Sequence, residues 1–395
     1  MLIKNGLVFT QKGRFERLSI LAQGGRITGI VSDKESEGYE GEVTDAKGCY
    51  VLPGLTDIHL HGAAGHDFCE GTRDAFETIA AFEFAHGVMG ICPATMTIPE
   101  EKLGEVLKNA AAYREEQKGQ NTGQQCEACF DSTGRERATF LGIHLEGPFI
   151  NPHKKGAQRA EDIQKPSLRK LEDWQRMAGG LIRIVTLAPE IEGGIDFIRE
   201  GRCRNPELRF SVGHTECDYE RSAEAFRAGA DHVTHLFNAM PPFLHRAPGV
   251  IGAAFDRRDC FVELICDGIH VDPCAVRAAF GLFGDDRIIL ISDSMEAVGM
   301  PDGEYVLGGQ EVLVREGRAL LRDGTLAGST FTLYDCLRTA VNIGIPLESA
   351  VKAATINPCR SVGLDGEYGS IEVGKKADFL LLDQQDLRIR KVIRG

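Results

Sequence analysis

The sequence places His59 and His61 two residues apart in GLTDIHLHG, at the end of a short apolar run of Leu55, Ile58 and Leu60. Side chains alternate along a strand, so both imidazoles face the same way at its C-terminal end. That is half of a metal site, although a lone pair of this kind also reads as polar residues closing a strand. The pattern recurs. Glu146 in GIHLEGPF, His214 in SVGHT, His235 in THLFNAM, Asp267 in CDGIH and Asp293 in LISDS each stand at the end of an apolar run. Several imidazoles with carboxylates are a donor set for a first-row transition ion such as zinc, Fe(II), Mn or Co. Their joint occurrence at so many strand ends speaks against a collection of unrelated structural histidines. His144 shares a face with Glu146 by alternation and is expected to support the site from behind. His232 lies near the start of its strand and reads as structural, while His66, His86, His153 and His245 read as surface or loop residues.

Ligands at many strand ends need a scaffold that brings those ends together. From residue 54 onward, strand-like runs (54–60, 88–93, 139–146, 181–187, 208–214, 232–236, 261–266 and 287–292) are interleaved with helix-like segments. The helices are expected at 72–86, 100–116, 168–177, 195–200, 219–228 and 273–283, with two more at 329–343 and 347–355. Such alternation predicts an α/β protein with a parallel sheet, and eight repeats predict closure into a (β/α)8 TIM barrel, whose chemistry sits at one mouth. An open doubly wound sheet is the rival, but it would put its site at a single switch point. Short strands are expected at 2–10, 19–22, 26–31 and 48–52, and again at 377–383 and 389–393. They predict a small composite β-sandwich domain from both chain ends (1–52 and 360–395) beside the barrel (53–359), with a hairpin excursion at 303–322.

Composition narrows the function. The 395 residues carry 45 Lys and Arg against 58 Asp and Glu, a formal charge of −13. This points to a soluble protein and away from nucleic acid or anionic membranes. A local cationic cluster could still bind an anion, because screening mutes the distant field. No apolar run reaches the roughly 18 residues of a membrane span, and the N-terminus lacks the apolar core of a signal peptide, so a cytoplasmic location is expected. The 12 cysteines are scattered and read as reduced, mostly buried residues. Cys126 and Cys129 form a CxxC in a polar stretch, read as a surface loop insertion in preference to a zinc knuckle or redox pair.

The motifs together resemble the amidohydrolase superfamily and, within it, the N-acetylglucosamine-6-phosphate deacetylases. They are PGLTDIHLHG, HLEGPF, SVGHT, THLFNAMPP, DGIHVDP, ISDSMEAVG, LAGSTFTL, ATINPCR and GSIEVGKKADFLLLD, spread over nearly the whole chain. The first and last mark only the superfamily, whereas HLEGPF, THLFNAM and DGIHVD are more specific. The resemblance implies a divalent metal, one or two ions per subunit with zinc first and Fe, Mn or Co as alternatives, held by Glu146, His214 and His235. His59 and His61 are retained, where some relatives have lost them, and allow a second ion. Asp293 matches the general acid/base. Ala157, Gln158, Asn238, Ala239, Arg246, Asp267, Gly268, Ile269, His270, Leu326, Ala327 and Gly328 match segments that hold a phosphorylated amino sugar. Gln158 stands where some relatives have a histidine near the substrate carbonyl, and it or His270 would stabilise the oxyanion. Arg246 matches a residue that reaches the phosphate bound in a neighbouring subunit, which implies a homodimer. The implied chemistry is hydrolysis of an N-acetyl amide by a water that the metal activates. Three alternatives stand beside it: the galacto epimer or another N-acylated amine as substrate, a non-catalytic homologue, and nucleobase deamination.

Overall fold

The computed structural model describes residues 1–119 and 136–395, so the Cys126/Cys129 pair lies outside the described residues. The expected α/β alternation is present. Parallel strands β1 (Leu55–Asp57), β2 (Val88–Ile91), β3 (Ile143–Glu146), β4 (Ile182–Leu187), β5 (Arg209–Val212), β6 (His232–Val233), β7 (Phe261–Ile265) and β8 (Ile288–Ile291) follow in chain order. β3 to β8 pair with their sequence neighbours in a seven-stranded sheet begun by the two-residue strand Ala94–Thr95. β1 and β2 pair in a three-stranded sheet completed by Thr139–Phe140. The chain itself links the two sheets, since Ala94–Thr95 follows β2 and Thr139–Phe140 precedes β3. At the other end, the Asp293 N–H donates to the His59 carbonyl at 2.9 Å. The Ser292 N–H reaches the Asp57 carboxylate at 3.2 Å, so the end of β8 lies against the end of β1. The all-apolar sequence of β8, IILI, is buried at every position, as a parallel strand covered on both faces requires.

Helices α1 (Arg73–Ala85), α2 (Glu100–Gly119), α3 (Leu168–Met177), α4 (Gly194–Arg204), α5 (Tyr219–Ala228), α6 (Gly249–Asp256), α7 (Pro273–Phe283) and α8 (Leu333–Asn342) separate the strands or follow β8. Their starts are written locally. Thr72, Ser167, Asp218 and Asp272 accept backbone N–H groups as N-caps, and Pro273 occupies the first turn of α7. Thr332 and Asp335 form a capping box for α8, so the helix expected from residue 329 starts four residues later. Helix α6 was not expected, because GVIGAAFD is apolar on every side and shows no helical period.

Several expected strands are shorter, three of them with consequences for the fold or the site. Residues 2–10 form two strands, Leu2–Lys4 and Leu7–Phe9, in different sheets, turned at Asn5 with φ 66°. The strand expected to carry His59 and His61 ends at Asp57, and the one expected to run to 236 ends at Val233. In the latter two cases the ligand candidates lie just beyond the ladder.

Strands from both chain ends pair. Asp378–Asp383 runs antiparallel to Cys49–Pro53, with Phe379 opposite Pro53 and Leu381 opposite Val51. They belong to a five-stranded sheet with Ile389–Arg394, Leu7–Phe9 and Phe15–Arg17. A four-stranded sheet of Arg26–Val31, Ser19–Gln23, Leu2–Lys4 and Val43–Asp45 lies beside it. Ile3, Ile20, Ile27, Val51, Phe379 and Ile393 from the two sheets share one apolar cluster. Residues 303–321 form the expected excursion as a three-stranded antiparallel sheet. No described helix is long and apolar enough to cross a membrane.

Helix α1 turns Glu83 fully inward, where neither carboxylate oxygen has a hydrogen-bond partner. Burial, with the charges of Asp57 and Asp335, holds this carboxyl well above the ordinary value of 4.5. A raised folded value means that the contribution to stability is fully present below 4.5 and is lost as the pH rises through the raised value. Glu83→Gln, which keeps the shape and cannot ionise, should therefore flatten the decline in melting temperature expected of the native protein as the pH rises above 4.5. Thermal unfolding of both proteins, followed upward from pH 4.5, checks this, and parallel declines would refute it.

Candidate active site

Glu146, the last residue of β3, is the hub on which side chains from four other strand ends converge. Its Oε1 lies 3.2 Å from His214 Nε2, 3.1 Å from His235 Nε2 and 3.3 Å from His59 Nε2. Its Oε2 lies 3.3 Å from His61 Nε2. Asp293, just past β8, brings Oδ1 to 3.2 Å from His61 Nε2 and 3.6 Å from His59 Nε2. Backbone conformation does part of the aiming: His214, His235 and Asp293 have φ of 48°, 28° and 49°, a region that non-glycine residues seldom occupy and that costs about 1–3 kcal/mol each. Gly328 allows the close approach that supports Asp293, since a Cβ there would stand 3.1 Å from the Asp293 carbonyl oxygen with φ at 70°.

All four histidines are anchored through Nδ1. His214 Nδ1 donates to the Lys154 carbonyl at 2.8 Å, His235 to Asn238 at 3.2 Å and His61 to Ala94 at 3.2 Å. His59 Nδ1 bonds Glu263 Oε2 at 2.8 Å. A proton on each Nδ1 leaves the Nε2 lone pair facing the centre. His214 Nε2 and His235 Nε2 then stand only 3.0 Å apart, and His59 Nε2 is buried without a hydrogen-bond partner. Facing lone pairs repel unless a cation or proton lies between them, so the donor set fits a divalent cation. Two groups of it, His59/His61/Glu146 and Glu146/His214/His235, each place their ligand atoms within 4.8 Å of one another.

The electrostatics of the cation-free cluster agree. Burial opposes a charge on His61, but hydrogen bonds to Asp293 and Glu146 outweigh it and lift this group to about 10. Burial likewise opposes a charge on His59, and Glu146 and Glu263 raise it well above the usual value. Burial would push Asp293 up, yet His61 and His59 hold it at about 2. Glu146 is held well below its ordinary value by His59, His214 and His235, against its burial. Protons thus occupy the centre that a cation would take, and cation uptake would release them.

A cavity of about 440 Å³ opens over the cluster. Of the expected binding residues, Ala157, Gln158, Asn238, Ala239, His270, Leu326 and Gly328 line it, with His61, Glu146, His214, His235 and Asp293 at its floor. Gly268, Ile269 and Ala327 do not line it. Asp267 acts from behind: its Oδ2 holds His270 Nδ1 at 2.7 Å, and its Oδ1 accepts the backbone N–H groups of Ile269 and His270 at 2.8 Å. Arg246 is exposed on the turn between Leu244 and Ala247, outside its own chain's cavity. Gln158 is committed: its Oε1 accepts the Thr97 N–H at 2.5 Å and its Nε2 donates to Glu146 Oε2 at 2.8 Å. With Nε2 also donating to Met96 Sδ at 3.6 Å, both amide donors are engaged and the side chain is turned toward a ligand candidate.

His144 and His232 are buried beneath the cluster. The His144 ring lies 4.4 Å from that of His59. Its Nδ1 donates to the Ile58 carbonyl and its Nε2 bonds Thr186 Oγ1, while burial first, and then His59, lower it to about 3. His153, read as a loop residue, also lines the cavity, as do Lys154 and Lys155. Sequence reasoning missed Glu263 and Glu190. Glu190 accepts from Asn151 Nδ2, Thr215 Oγ1 and the Glu216 N–H, and so ties the loop before Gln158 to the end of β5. Alternation along FVELICD would have placed Glu263 on the face of Asp267, a charge inside an otherwise apolar strand.

Residues 50–394 match the amidohydrolase family. The N-acetylglucosamine-6-phosphate deacetylase of Bacillus subtilis (strain 168) is 34% identical over 396 residues, covering 100% of this chain and 96% of that protein. The N-acetylgalactosamine-6-phosphate deacetylase of Escherichia coli O157:H7 is 34% identical over 342 residues, 86% of this chain and 85% of the relative. Among solved structures, an N-acetyl-D-glucosamine-6-phosphate deacetylase mutant from Mycobacterium smegmatis, in complex with N-acetyl-D-glucosamine-6-phosphate, superposes with a TM-score of 0.87 at 30% identity, covering 100% of this chain and 97% of the other. With inward-facing imidazoles grouped around a buried glutamate and the match spanning both, the chain belongs to the amidohydrolase family.

Proposed function

We propose that this protein hydrolyses the N-acetyl amide of N-acetyl-D-glucosamine 6-phosphate to D-glucosamine 6-phosphate and acetate, in amino-sugar catabolism or recycling. The observation that carries the reading is Asp293 Oδ1, at 3.2 Å from His61 Nε2, on the floor of a cavity that the expected sugar-binding segments line. A divalent cation held by Glu146, His214 and His235, with His59 and His61 beside it, would supply a water of low pKa and polarise the amide carbonyl. Zinc is the first choice, with Fe, Mn or Co behind it.

This chain's own residues do the rest. Asp293, ionised because its carboxyl is held at about 2, takes the proton of the attacking water and returns it to the amine nitrogen as the C–N bond breaks. Gln158 fixes Glu146, so the oxyanion role expected for either Gln158 or His270 falls to His270. Asp267 accepts from His270 Nδ1, which leaves Nε2 for the ligand. Asn238, Ala239 and the 326–328 turn would hold the sugar. Arg246 would reach the phosphate bound in the partner of a homodimer, a role supported by its exposed turn, where Phe243 and Leu244 are 47% and 50% exposed. A guanidinium suits phosphate oxygens through paired hydrogen bonds. We read the two parallel sheets as one closed (β/α)8 barrel (53–359) and the terminal strands (1–52 and 360–395) as a composite β-sandwich domain, in a cytoplasmic enzyme. The galacto epimer is a second reading, favoured by the galactosamine relative, also 34% identical but over 86% of this chain.

Deacetylation of the gluco and galacto 6-phosphates and of the unphosphorylated sugar tests the proposal. Chelator-sensitive turnover of the gluco phosphate is expected, and activity on the galacto compound alone would replace the substrate. Asp293→Asn should lower kcat by about 10²–10⁴-fold, the usual worth of a general acid/base, with the cation still bound, and a near-native kcat would remove Asp293 from the role. A divalent cation at 100 times its Kd should stabilise the native protein by about 2.7 kcal/mol, seen as a rise in melting temperature that Glu146→Ala abolishes. Arg246→Ala should raise KM for the phosphorylated substrate and leave kcat/KM for the unphosphorylated sugar unchanged.

A further inference from the structure

Beneath the cluster, Glu263 is a fully buried carboxylate on β7, and it touches both halves of the site at once. Its Oε2 accepts His59 Nδ1 at 2.8 Å and, from the other half, the backbone N–H of His235 at 3.1 Å. Its Oε1 has no hydrogen-bond partner and lies 3.7 Å from His144 Nδ1 and 3.7 Å from His232 Nδ1. Of the four cluster histidines, His59 alone has a carboxylate behind it, for the other three lean on neutral backbone carbonyls. A buried carboxylate is a costly anchor where a carbonyl would serve, so its presence calls for a reason.

We propose that Glu263 is a positioning residue for cation binding: it fixes the Nδ1–H tautomer of His59, raises the basicity of the inward Nε2, and registers His59 against His235. A carboxylate behind a ligating imidazole acts in this way, and its loss commonly lowers metal affinity 10- to 100-fold. The inference rests on reading the cluster as a metal centre.

Glu263→Gln is the direct test. It is nearly isosteric, keeps one oxygen to accept from His59 and His235, removes the charge, and puts an NH2 group in place of the unpartnered Oε1. Chelator competition with Zn²⁺ or Co²⁺ should show affinity about 10- to 100-fold weaker in Glu263→Gln than in the native protein. In a His59→Asn background the same change should cause no further loss. Equal affinities in the native and Glu263→Gln proteins, or an undiminished loss in the His59→Asn background, would overturn the proposal and leave the metal centre standing. A native protein that takes up neither ion would overturn both. Nitrogen-15 histidine spectra of the native, cation-loaded protein give a measurement independent of how any variant folds. His59 should carry its proton on Nδ1, and a proton on Nε2 would refute the assignment.

Discussion

The structure depends on gathering four imidazoles and two carboxylates, each nearly buried, at the floor of one cavity. Charges so placed lose several kcal/mol of hydration apiece unless they are paired and held by hydrogen bonds. The protein meets that cost from outside the cluster. Each imidazole is fixed through Nδ1 to a group outside the cluster, Lys154, Asn238, Ala94 or Glu263. With the rings fixed, the Nε2 atoms can only meet at Glu146. Remove the outer bonds and the inner geometry has nothing to maintain it.

The surrounding scaffold is arranged to keep those outer partners still. Glu190 binds the 151 and 215 segments, and the Asn151 N–H donates to the His214 carbonyl at 2.9 Å. The carbonyl that receives His214 therefore belongs to a loop tied to His214's own backbone. Gln158 bridges Thr97 and Glu146, joining the segment after β2 to the end of β3. Asp267 plays the same part for His270. Polar side chains near the cavity are thus largely occupied with one another, and a ligand would meet few groups free to reorient.

Much of this was legible beforehand because strand ends and apolar runs are written locally. The histidines after Ile58, Val212 and Val233 stand where a hydrophobic run stops, and the caps Thr72, Ser167 and Asp272 announce their helices. Helix α6 was illegible because an apolar, glycine-containing segment has no polar face to mark its period. The shortness of β1 and β6 was hidden too, since the backbone leaves the ladder to aim His59, His61 and His235, and such turns leave no trace in composition. Glu263 escaped because attention to strand ends passes over a charge in mid-strand. Gln158 lines the cavity, but its partners depend on Thr97, 61 residues distant in the chain.

The pairing of Asp378–Asp383 with Cys49–Pro53 has a consequence for how the chain is made. Residues 49–53 leave the ribosome early and pair on one side with Leu7–Phe9, while the strand that covers their other side lies more than three hundred residues downstream. At about 5–20 residues per second, translation leaves that edge open for on the order of tens of seconds. An uncovered strand edge is a template for association with other chains. The β/α units between the two partners can organise during that interval, but this sheet cannot close until residues 378–383 have been made. The nascent chain thus carries this open edge from the synthesis of residues 49–53 until residues 378–383 emerge to cover it.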